Sequence, residues 1–317
     1  GKWTGHYEYV KKNFPSLLED PENRILYGYM PRDKFLKMWL GKLKEVVDSY
    51  HPDLMWFDSW LDEVPEEYQK RYLAYYYNRA RQWGKDVVVT RKQDDLPLDV
   101  SVEDFEKGRT NRLTKRTWLT DDTISKGSWC YTEGLKIKSL DEVLDTMIDI
   151  VSKNGVLMLN ISPKANGVIP QNQKDVLLGI GEWLDKYGEA IYDTRPFLTF
   201  GEGPTRLKKG GHFVRMKDGY KPEDIRFTRS KDGKTVYAIE LGWPGANETV
   251  TIESLSDDNL PVGCEVADVS LLGFDGEIEW EMLDEGLEVT TPEEKVDELA
   301  IVWKVTTSSS VMAGQNK

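Results

Sequence analysis

Two carboxylates stand where predicted β-strands give way to loops. Asp58 ends the apolar stretch "DLMWFD", and Glu106 ends "DVSVEDFE". In parallel α/β folds, reactive side chains gather at the carboxyl ends of the strands. Two opposed carboxyl groups are the minimum set for cleaving a glycosidic bond: one attacks the anomeric carbon or activates water, and the other protonates the leaving oxygen. The pair therefore predicts glycoside hydrolysis, with a helix cap or a salt-bridged acid as the structural alternative for each.

The chain has few residues that could form a metal site or a Ser-His-Asp triad. Its two cysteines, Cys130 and Cys264, have no Cys or His partner at metal-ligand spacing. Its three histidines, His6, His51 and His212, cluster nowhere along the sequence, so neither a zinc site nor a Ser-His-Asp triad is predicted. A pair of carboxyl groups and water needs no metal and no organic cofactor, and none is expected.

Composition narrows the range of partners. The chain has 317 residues, with 42 Lys and Arg against 55 Asp and Glu, which gives a formal net charge of -13. Such a surface repels phosphate backbones and anionic lipid, so neither a nucleic acid nor a membrane partner is expected. The opening "GKWTGHYEYV" shows no signal peptide, but a leader could have been removed, and a secreted or periplasmic location is favoured. A homo-oligomer is left open.

The elements that must position the acids alternate between strands and helices. Helical spacing, helix starts and helix ends predict helices at 33–50, 65–84, 139–155 and 171–188. Apolar and β-branched runs predict strands at 53–58, 86–90, 99–106, 116–120 and 156–162, the first and last of them buried. Strands separated by helices indicate a parallel sheet with crossovers, as in a (β/α)8-type barrel.

The pattern changes after about Thr194. Short strands follow one another with Gly, Asp and Pro turns and no helix between them, which predicts an antiparallel β-sandwich. The predicted domains are a catalytic β/α barrel over 1–194 and a β-sandwich over 195–317. Five predicted strands are fewer than the eight of a closed barrel, so only the C-terminal strands of such a barrel are expected in this chain.

Five blocks of the sequence carry a family resemblance. In chain order they are "YHPDLMWFDSW", "VEDFEKGR", "WLTDDTISKGSWCYTEG", "IDIVSKNGVLMLNISPKANGVIP" and "GEWLDKYGEAIYDTRPF". In this order they resemble family 29 α-L-fucosidases over roughly Gly28 to Phe200, and the segment "KPEDIRFTRSKDGKTVYAIELGWP" is similar to the β-sandwich that follows the barrel in that family. The resemblance implies a retaining exo-glycosidase that removes terminal α-L-fucose from glycans through a covalent fucosyl-enzyme.

The resemblance also implies roles for individual acids. Asp58 matches the aspartate of the family's W-F-D block, which is its nucleophile. The general acid/base is drawn from variable positions after the nucleophile in this family. Glu106 in "DFEKGR" is the first choice, Glu103 the second, and Glu133 in "YTEG" a third.

Three further side chains are expected at the sugar. Trp56 matches an aromatic lining the fucose site, and Trp129 matches one that packs near the sugar's methyl group. Lys92, or its neighbour Arg91, stands where the family places a basic pocket residue. The structural alternatives are a core tryptophan for Trp56 and a surface salt bridge for Lys92.

One feature departs from the family pattern. The histidines that hold the fucose hydroxyls in the family come from strands earlier than the first residue of this chain, and His6, His51 and His212 do not match them. This leaves two rival interpretations: a non-catalytic carbohydrate-binding or scaffold protein lacking that pocket wall, and an exo-hydrolase for a related sugar such as an α-galactoside.

Overall fold

The computed structural model describes residues 5–28, 30–58, 60–216 and 219–312. Contacts divide the chain into two compact units, 1–104 and 105–317. The predicted boundary between barrel and sandwich at 194/195 stays a prediction. No helix within the described ranges is both long and apolar enough to cross a bilayer.

The first unit alternates helices with short parallel strands. Strand β1 pairs with β2, and β2 with β3, all in parallel. Pro65 precedes α4, and Gly84 ends it with a left-handed φ of 66°, as the sequence predicts. The elements of this unit are α1 (Gly5–Asn13), α2 (Pro21–Leu26), α3 (Arg32–Tyr50), β1 (Leu54–Met55), α4 (Glu66–Trp83), β2 (Val88–Arg91) and β3 (Val102–Asp104).

The core of the first unit lies between its two long helices and the strands. Leu36 and Val47 of α3 are buried against Tyr72 and Tyr76 of α4, and Val89 of β2 completes the cluster. The apolar residues of both helices recur every three or four positions, so each helix turns one stripe inward. That packing fixes the strands whose ends carry the acids.

The second unit begins with the remaining β/α elements. Strands β4 and β5 pair in parallel from Trp118↔Gly155 to Thr123↔Asn160. Ser139 and Glu142 form the predicted capping box at the start of α5. The elements here are β4 (Trp118–Thr123), α5 (Leu140–Ser152), β5 (Gly155–Asn160) and α6 (Gln171–Tyr187).

Strand β5 is not buried on both faces, which corrects the sequence-based prediction. The side chain of Val156 is 49% exposed and that of Met158 is 36% exposed. Leu159 instead packs with residues of α5 and α6. The two helices cover one face of β5, while Val156 and Met158 alternate onto the other.

The rest of the second unit is the predicted antiparallel sandwich. One sheet has the order β10-β13-β8-β7-β6 and the other β11-β12-β9. The sequence predicts strands at "DIRFTRS", "TVYAIEL", "ETVTIESL", "EVADVSLL" and "LAIVWKV", which correspond to β7, β8, β9, β10 and β13, but does not predict β6, β11 and β12. The strands are β6 (Arg195–Glu202), β7 (Ile225–Arg229), β8 (Thr235–Glu240), β9 (Thr249–Ile252), β10 (Val266–Leu271), β11 (Trp280–Leu283), β12 (Gly286–Thr290) and β13 (Ile301–Thr307).

The larger sheet of the sandwich is buried on both faces. Val236 and Ala238 of β8 face the core between the two sheets. Their neighbours Tyr237 and Ile239 pack instead with Trp183 of α6 and residues of α5. Because side chains alternate along a strand, one face of this sheet packs into the sandwich core and the other face packs against α5 and α6.

A buried ion cluster ties α5 to this sheet. Asp149 of α5, with 0% of its side chain exposed, contacts Lys153 at 2.7 Å, Arg226 of β7 at 2.8 Å and Arg109 at 3.3 Å. Burial alone would raise the pKa of Asp149, but the three cations hold it well below its ordinary value. Burial lowers the pKa of Lys153 to about 8 against the opposing pull of Asp149.

Candidate active site

Asp58 lies beyond the end of its strand. Strand β1 has only two paired residues, Leu54↔Val88 and Met55↔Val89. From there the Phe57 N–H donates to the Thr90 hydroxyl at 3.4 Å rather than to a backbone carbonyl of β2, so the ladder stops. The predicted buried strand over 53–58 is therefore too long, and Leu54 is 39% exposed. Trp56 and Asp58 belong to the loop that follows.

A buried lysine joins the acids of the first unit. The ammonium of Lys92 lies 3.5 Å from Asp58 Oδ1 and 3.7 Å from Asp104 Oδ2, and 4.8 Å from the centre of the Trp56 ring. The Lys92 side chain is 1% exposed and that of Asp104 is 0% exposed, whereas that of Asp58 is 75% exposed. The surface salt bridge proposed as the alternative for Lys92 is therefore wrong. A desolvated cation lies beneath the carboxylate that the sequence marks as the nucleophile.

Asp104 is a residue that the sequence analysis missed. It ends β3 and accepts a hydrogen bond of 2.7 Å from the indole N–H of Trp56. It thereby holds both the ring of Trp56 and the charge of Lys92 in place. Its position at a strand end indicates a site residue just as the position of Asp58 does. Glu103 and Glu106 lie close to it in the sequence, and the strand-end rule does not distinguish Asp104 from them.

The two alternative general acids have different surroundings. Glu103 accepts hydrogen bonds from Arg91 Nε at 3.1 Å and Nη2 at 2.6 Å. Arg91 also donates to the Leu96 carbonyl at 2.7 Å, so the arginine holds Glu103 in a structural ion pair. Glu133 is exposed in the loop that follows Trp129.

Glu106 lies in the second unit, two residues after β3 in the chain, and is half-buried. Its carboxylate oxygen Oε1 accepts a bond of 3.3 Å from the indole N–H of Trp129. Its backbone N–H donates to Nδ1 of His212 at 3.0 Å. The sequence predicts neither contact, because 23 positions separate Glu106 from Trp129 and 106 positions separate it from His212.

The surroundings of Glu106 carry positive charge. The ammonium of Lys107 lies 4.1 Å from the centre of the Trp129 ring and donates to the Gly127 carbonyl at 2.7 Å. Burial lowers the pKa of Lys107, and the nearby charge of Arg215 lowers it further. Trp129 thus contacts both the carboxylate of Glu106 and the ammonium of Lys107.

The predicted site residues thus fall into two groups. Asp58, Trp56 and Lys92 come together in the first unit, and Glu106 and Trp129 in the second. The pairing of Asp58 with Glu106 stays a prediction. In the part of the chain that the structure describes, no three His, Cys, Asp or Glu side chains gather closely enough to hold a metal ion.

Parallel β/α elements with carboxylates, lysine and tryptophan after their strands, followed by an antiparallel sandwich, are typical of two-domain glycoside hydrolases. Two family models match the chain in this order: α-L-fucosidase over residues 5–189 and α-L-fucosidase C-terminal domain over residues 218–307. The chain belongs to the α-L-fucosidase family.

Curated relatives agree with this family. The chain is 28% identical to human tissue α-L-fucosidase over 290 residues, which cover 88% of this chain and 55% of the human enzyme. It is 25% identical to an α-L-fucosidase of Branchiostoma floridae over 309 residues, covering 94% of this chain and 61% of the relative. The chain thus spans little more than half the length of these relatives.

Solved structures confirm the fold class. One α-L-fucosidase aligns with a TM-score of 0.67 at 28% identity, over 86% of this chain and 56% of the other. The Thermotoga maritima α-fucosidase in complex with fucose aligns with a TM-score of 0.64 at 29% identity, over 86% and 56%. The chain therefore has part of the β/α barrel and the C-terminal sandwich of that fold.

Proposed function

We propose that the protein is a retaining exo-α-L-fucosidase that hydrolyses terminal α-L-fucose from glycans. The observation that carries the proposal is the match of both family models, in order, to one chain. The carboxylates of Asp58 and Glu106, each beside a tryptophan and a cation, supply the chemistry that the family name requires. The substrate would be a fucosylated oligosaccharide or glycoconjugate.

In the first step, the proposed nucleophile is Asp58. Its carboxylate attacks the anomeric carbon of fucose, the bond to the glycosidic oxygen breaks, and Glu106 gives its proton to that oxygen. The 75% exposed side chain of Asp58 is accessible to a sugar, and the ammonium of Lys92 lies 3.5 Å from its Oδ1.

In the second step, Glu106 acts as a base. It takes a proton from water, the water oxygen attacks the anomeric carbon, and the bond to Asp58 breaks. Two inversions give net retention, so fucose would leave with the α configuration of the substrate. Carboxyl groups and water carry every proton, and we propose no cofactor.

Two tryptophans and a lysine are the further residues proposed to act on fucose. Trp56, held by its N–H bond of 2.7 Å to Asp104, presents a fixed ring next to Asp58. Trp129 is proposed to pack near the methyl group of fucose, since a flat apolar face suits a deoxy-sugar. Lys92 is proposed to act through its position beneath Asp58, because only 1% of it is exposed.

The test uses azide with an activated aryl α-L-fucoside and the full-length protein. Asp58→Ala should lower hydrolysis by roughly 10⁴-fold or more. Azide should then replace the missing nucleophile from the face opposite the leaving group and give β-L-fucosyl azide. Glu106→Ala leaves the nucleophile in place, so azide should attack the fucosyl-enzyme and give α-L-fucosyl azide.

Asp62→Ala is the matched control, because Asp62 is an exposed acid four positions after Asp58. This variant should keep its activity. In the unmodified protein, proton NMR should detect α-fucose as the first product. A β-anomer as the first product would exclude retention, and equal activity of the Asp58→Ala and Asp62→Ala variants would remove Asp58 from the mechanism.

A further inference from the structure

The backbone of Glu106 is held from both sides by a distant segment of the chain. This segment lies between β6 and β7 of the sandwich. The Glu106 N–H donates to Nδ1 of His212 at 3.0 Å, and the Phe213 N–H donates to the Glu106 carbonyl at 2.8 Å. Both peptide groups that flank the Cα of Glu106 therefore have fixed partners.

The contact continues along both segments. The Arg109 N–H donates to the Gly211 carbonyl at 3.2 Å, and the Gly211 N–H returns a bond of 3.0 Å to the Arg109 carbonyl. A Cβ at Gly108 would lie only 1.9 Å from the Gly211 oxygen, so glycine is required at this close approach. We call the paired segments 106–111 and 208–213 the clamp.

His212 contributes two separable contacts to the clamp. Its Nδ1 can accept the Glu106 N–H only while Nδ1 carries no proton, which requires the neutral tautomer protonated at Nε2. Its ring also meets Phe105 edge to face, with 5.7 Å between the ring centres. One contact needs an acceptor atom and the other needs an aromatic ring.

We propose that His212 is a positioning residue for the general acid Glu106. The inference rests on the proposed role of Glu106. Trp129 holds the carboxylate end of this residue at 3.3 Å, and His212 holds its backbone end. Because a misplacement of 1 Å can cost about 10²-fold in rate, a fixed Cα is needed to keep the acid within reach of the glycosidic oxygen.

The test compares His212→Asn with His212→Leu in the full-length protein. The two side chains have nearly the same shape, but only asparagine keeps an oxygen acceptor close to the position of Nδ1. His212→Phe is a third variant, which keeps the ring contact with Phe105 and loses the acceptor. It also replaces His212→Leu should that variant fail to fold. Thermal unfolding confirms that each variant is folded.

The readout is kcat/KM on two α-L-fucosides, one with a nitrophenol leaving group and one with an alkyl alcohol. A general acid contributes about 10²–10⁴-fold, and only the alcohol needs its proton. His212→Leu and His212→Phe should therefore lose at least about 10-fold on the alkyl fucoside and much less on the aryl fucoside. His212→Asn should stay close to the unmodified protein on both substrates.

Glu106→Gln, measured in parallel, separates the two proposals. An equal loss on both substrates in Glu106→Gln would overturn the role of Glu106 and the inference with it. A leaving-group dependence in Glu106→Gln, together with a uniform or absent loss in His212→Leu and His212→Phe, would overturn the inference alone. So would an asparagine variant that is as impaired as the leucine variant.

Discussion

Lys92 carries its charge where almost no water reaches it. Two carboxylates lie within 3.7 Å of its ammonium, Asp104 fully buried and Asp58 largely exposed. A buried lysine is retained only where partners offset its desolvation, so each member of this group depends on the others. The exposed acid, Asp58, is accessible to a substrate, and the buried acid, Asp104, anchors the lysine.

This dependence gives a prediction for Lys92→Met. Methionine has a similar length but no charge, so Asp104 would lose the cation at 3.7 Å. Removing one partner of a buried pair should lower the free energy of unfolding by about 3 kcal/mol. Urea unfolding measures the loss, and activity on an aryl fucoside should fall as well.

The double variant Lys92→Met/Asp104→Asn provides the control for this prediction. It removes both charges, so most of the lost stability should return while the activity does not. A single variant as stable as the unmodified protein would contradict the prediction, and so would a double variant that loses the sum of the two single effects.

At the residue scale, the sequence shows which side chains follow a strand but not what they contact. Asp58 and Glu106 are predicted site residues because each follows an apolar, strand-like stretch, and that rule is local. Asp104 obeys the same rule but is distinguished from Glu103 only by contacts with Trp56 and Lys92. His212 has no local signal, because its partner is a backbone N–H 106 positions away.

Helix α5 shows how one buried acid can position an element. Its Asp149 binds Lys153 of its own C-terminal end, Arg226 of strand β7 and Arg109 of the clamp. The helix that follows β4 is thereby joined to the larger sheet of the sandwich and to the segment that carries Glu106.

We expect Asp149→Asn to lower the free energy of unfolding by about 3–5 kcal/mol at pH 7, because three cations lose their buried anion. The pKa of Asp149 is lowered in the folded state, so its contribution is complete above the unfolded pKa of about 3.9 and is lost as the pH falls further. The difference from the unmodified protein should therefore shrink in unfolding experiments at pH 3.

Asp141→Asn on the same helix is the control. Asp141 is exposed in the first turn of α5 and lies outside the buried ion cluster, so its replacement should cost less than about 1 kcal/mol. An Asp149→Asn variant that costs no more than Asp141→Asn would show that the buried cluster does not stabilise α5.

Helices were predictable where apolar residues recur with one regular spacing. Helices α3, α4, α5 and α6 follow from apolar spacing and from caps such as Ser139. Strand β1 was predicted too long because apolar composition does not reveal where pairing stops. The burial of β5 was overestimated because Val156 and Met158 are apolar although they are partly exposed. The sequence does not distinguish such residues from core residues.

At the scale of the whole molecule, charge is the dominant feature. With a formal net charge of -13 at pH 7 and a pI near 4.9, the chain carries net negative charge above about pH 5. Two buried acids have pKa values that differ from those of surface acids. Burial raises the pKa of Asp145 on α5 to about 8, and burial also raises the pKa of Glu240 on β8 to about 8.

These two acids should make the protein less stable at pH 8 than at pH 5. Their folded pKa values lie above the unfolded values, so the unfolded chain gives up its protons first. Their contribution is full below an unfolded pKa of about 4 and is lost as the pH rises to about 8, by at most about 1.4 kcal/mol per pH unit for each group. Urea unfolding at pH 5, 6, 7 and 8 should show the decline, and Asp145→Asn/Glu240→Gln should flatten it.

The matched control for this double variant is Asp257→Asn/Asp258→Asn, which also removes two acids but from an exposed loop of the sandwich. If general repulsion among surface charges caused the decline, both double variants would flatten it equally and added salt would remove it. If burial is the cause, only Asp145→Asn/Glu240→Gln should flatten the decline in stability with pH. The difference between the two double variants should then persist in added salt. Glu240 is 1% exposed and accepts a bond of 2.9 Å from the Trp303 indole, and salt screens buried groups much less than exposed ones, so we expect the second outcome.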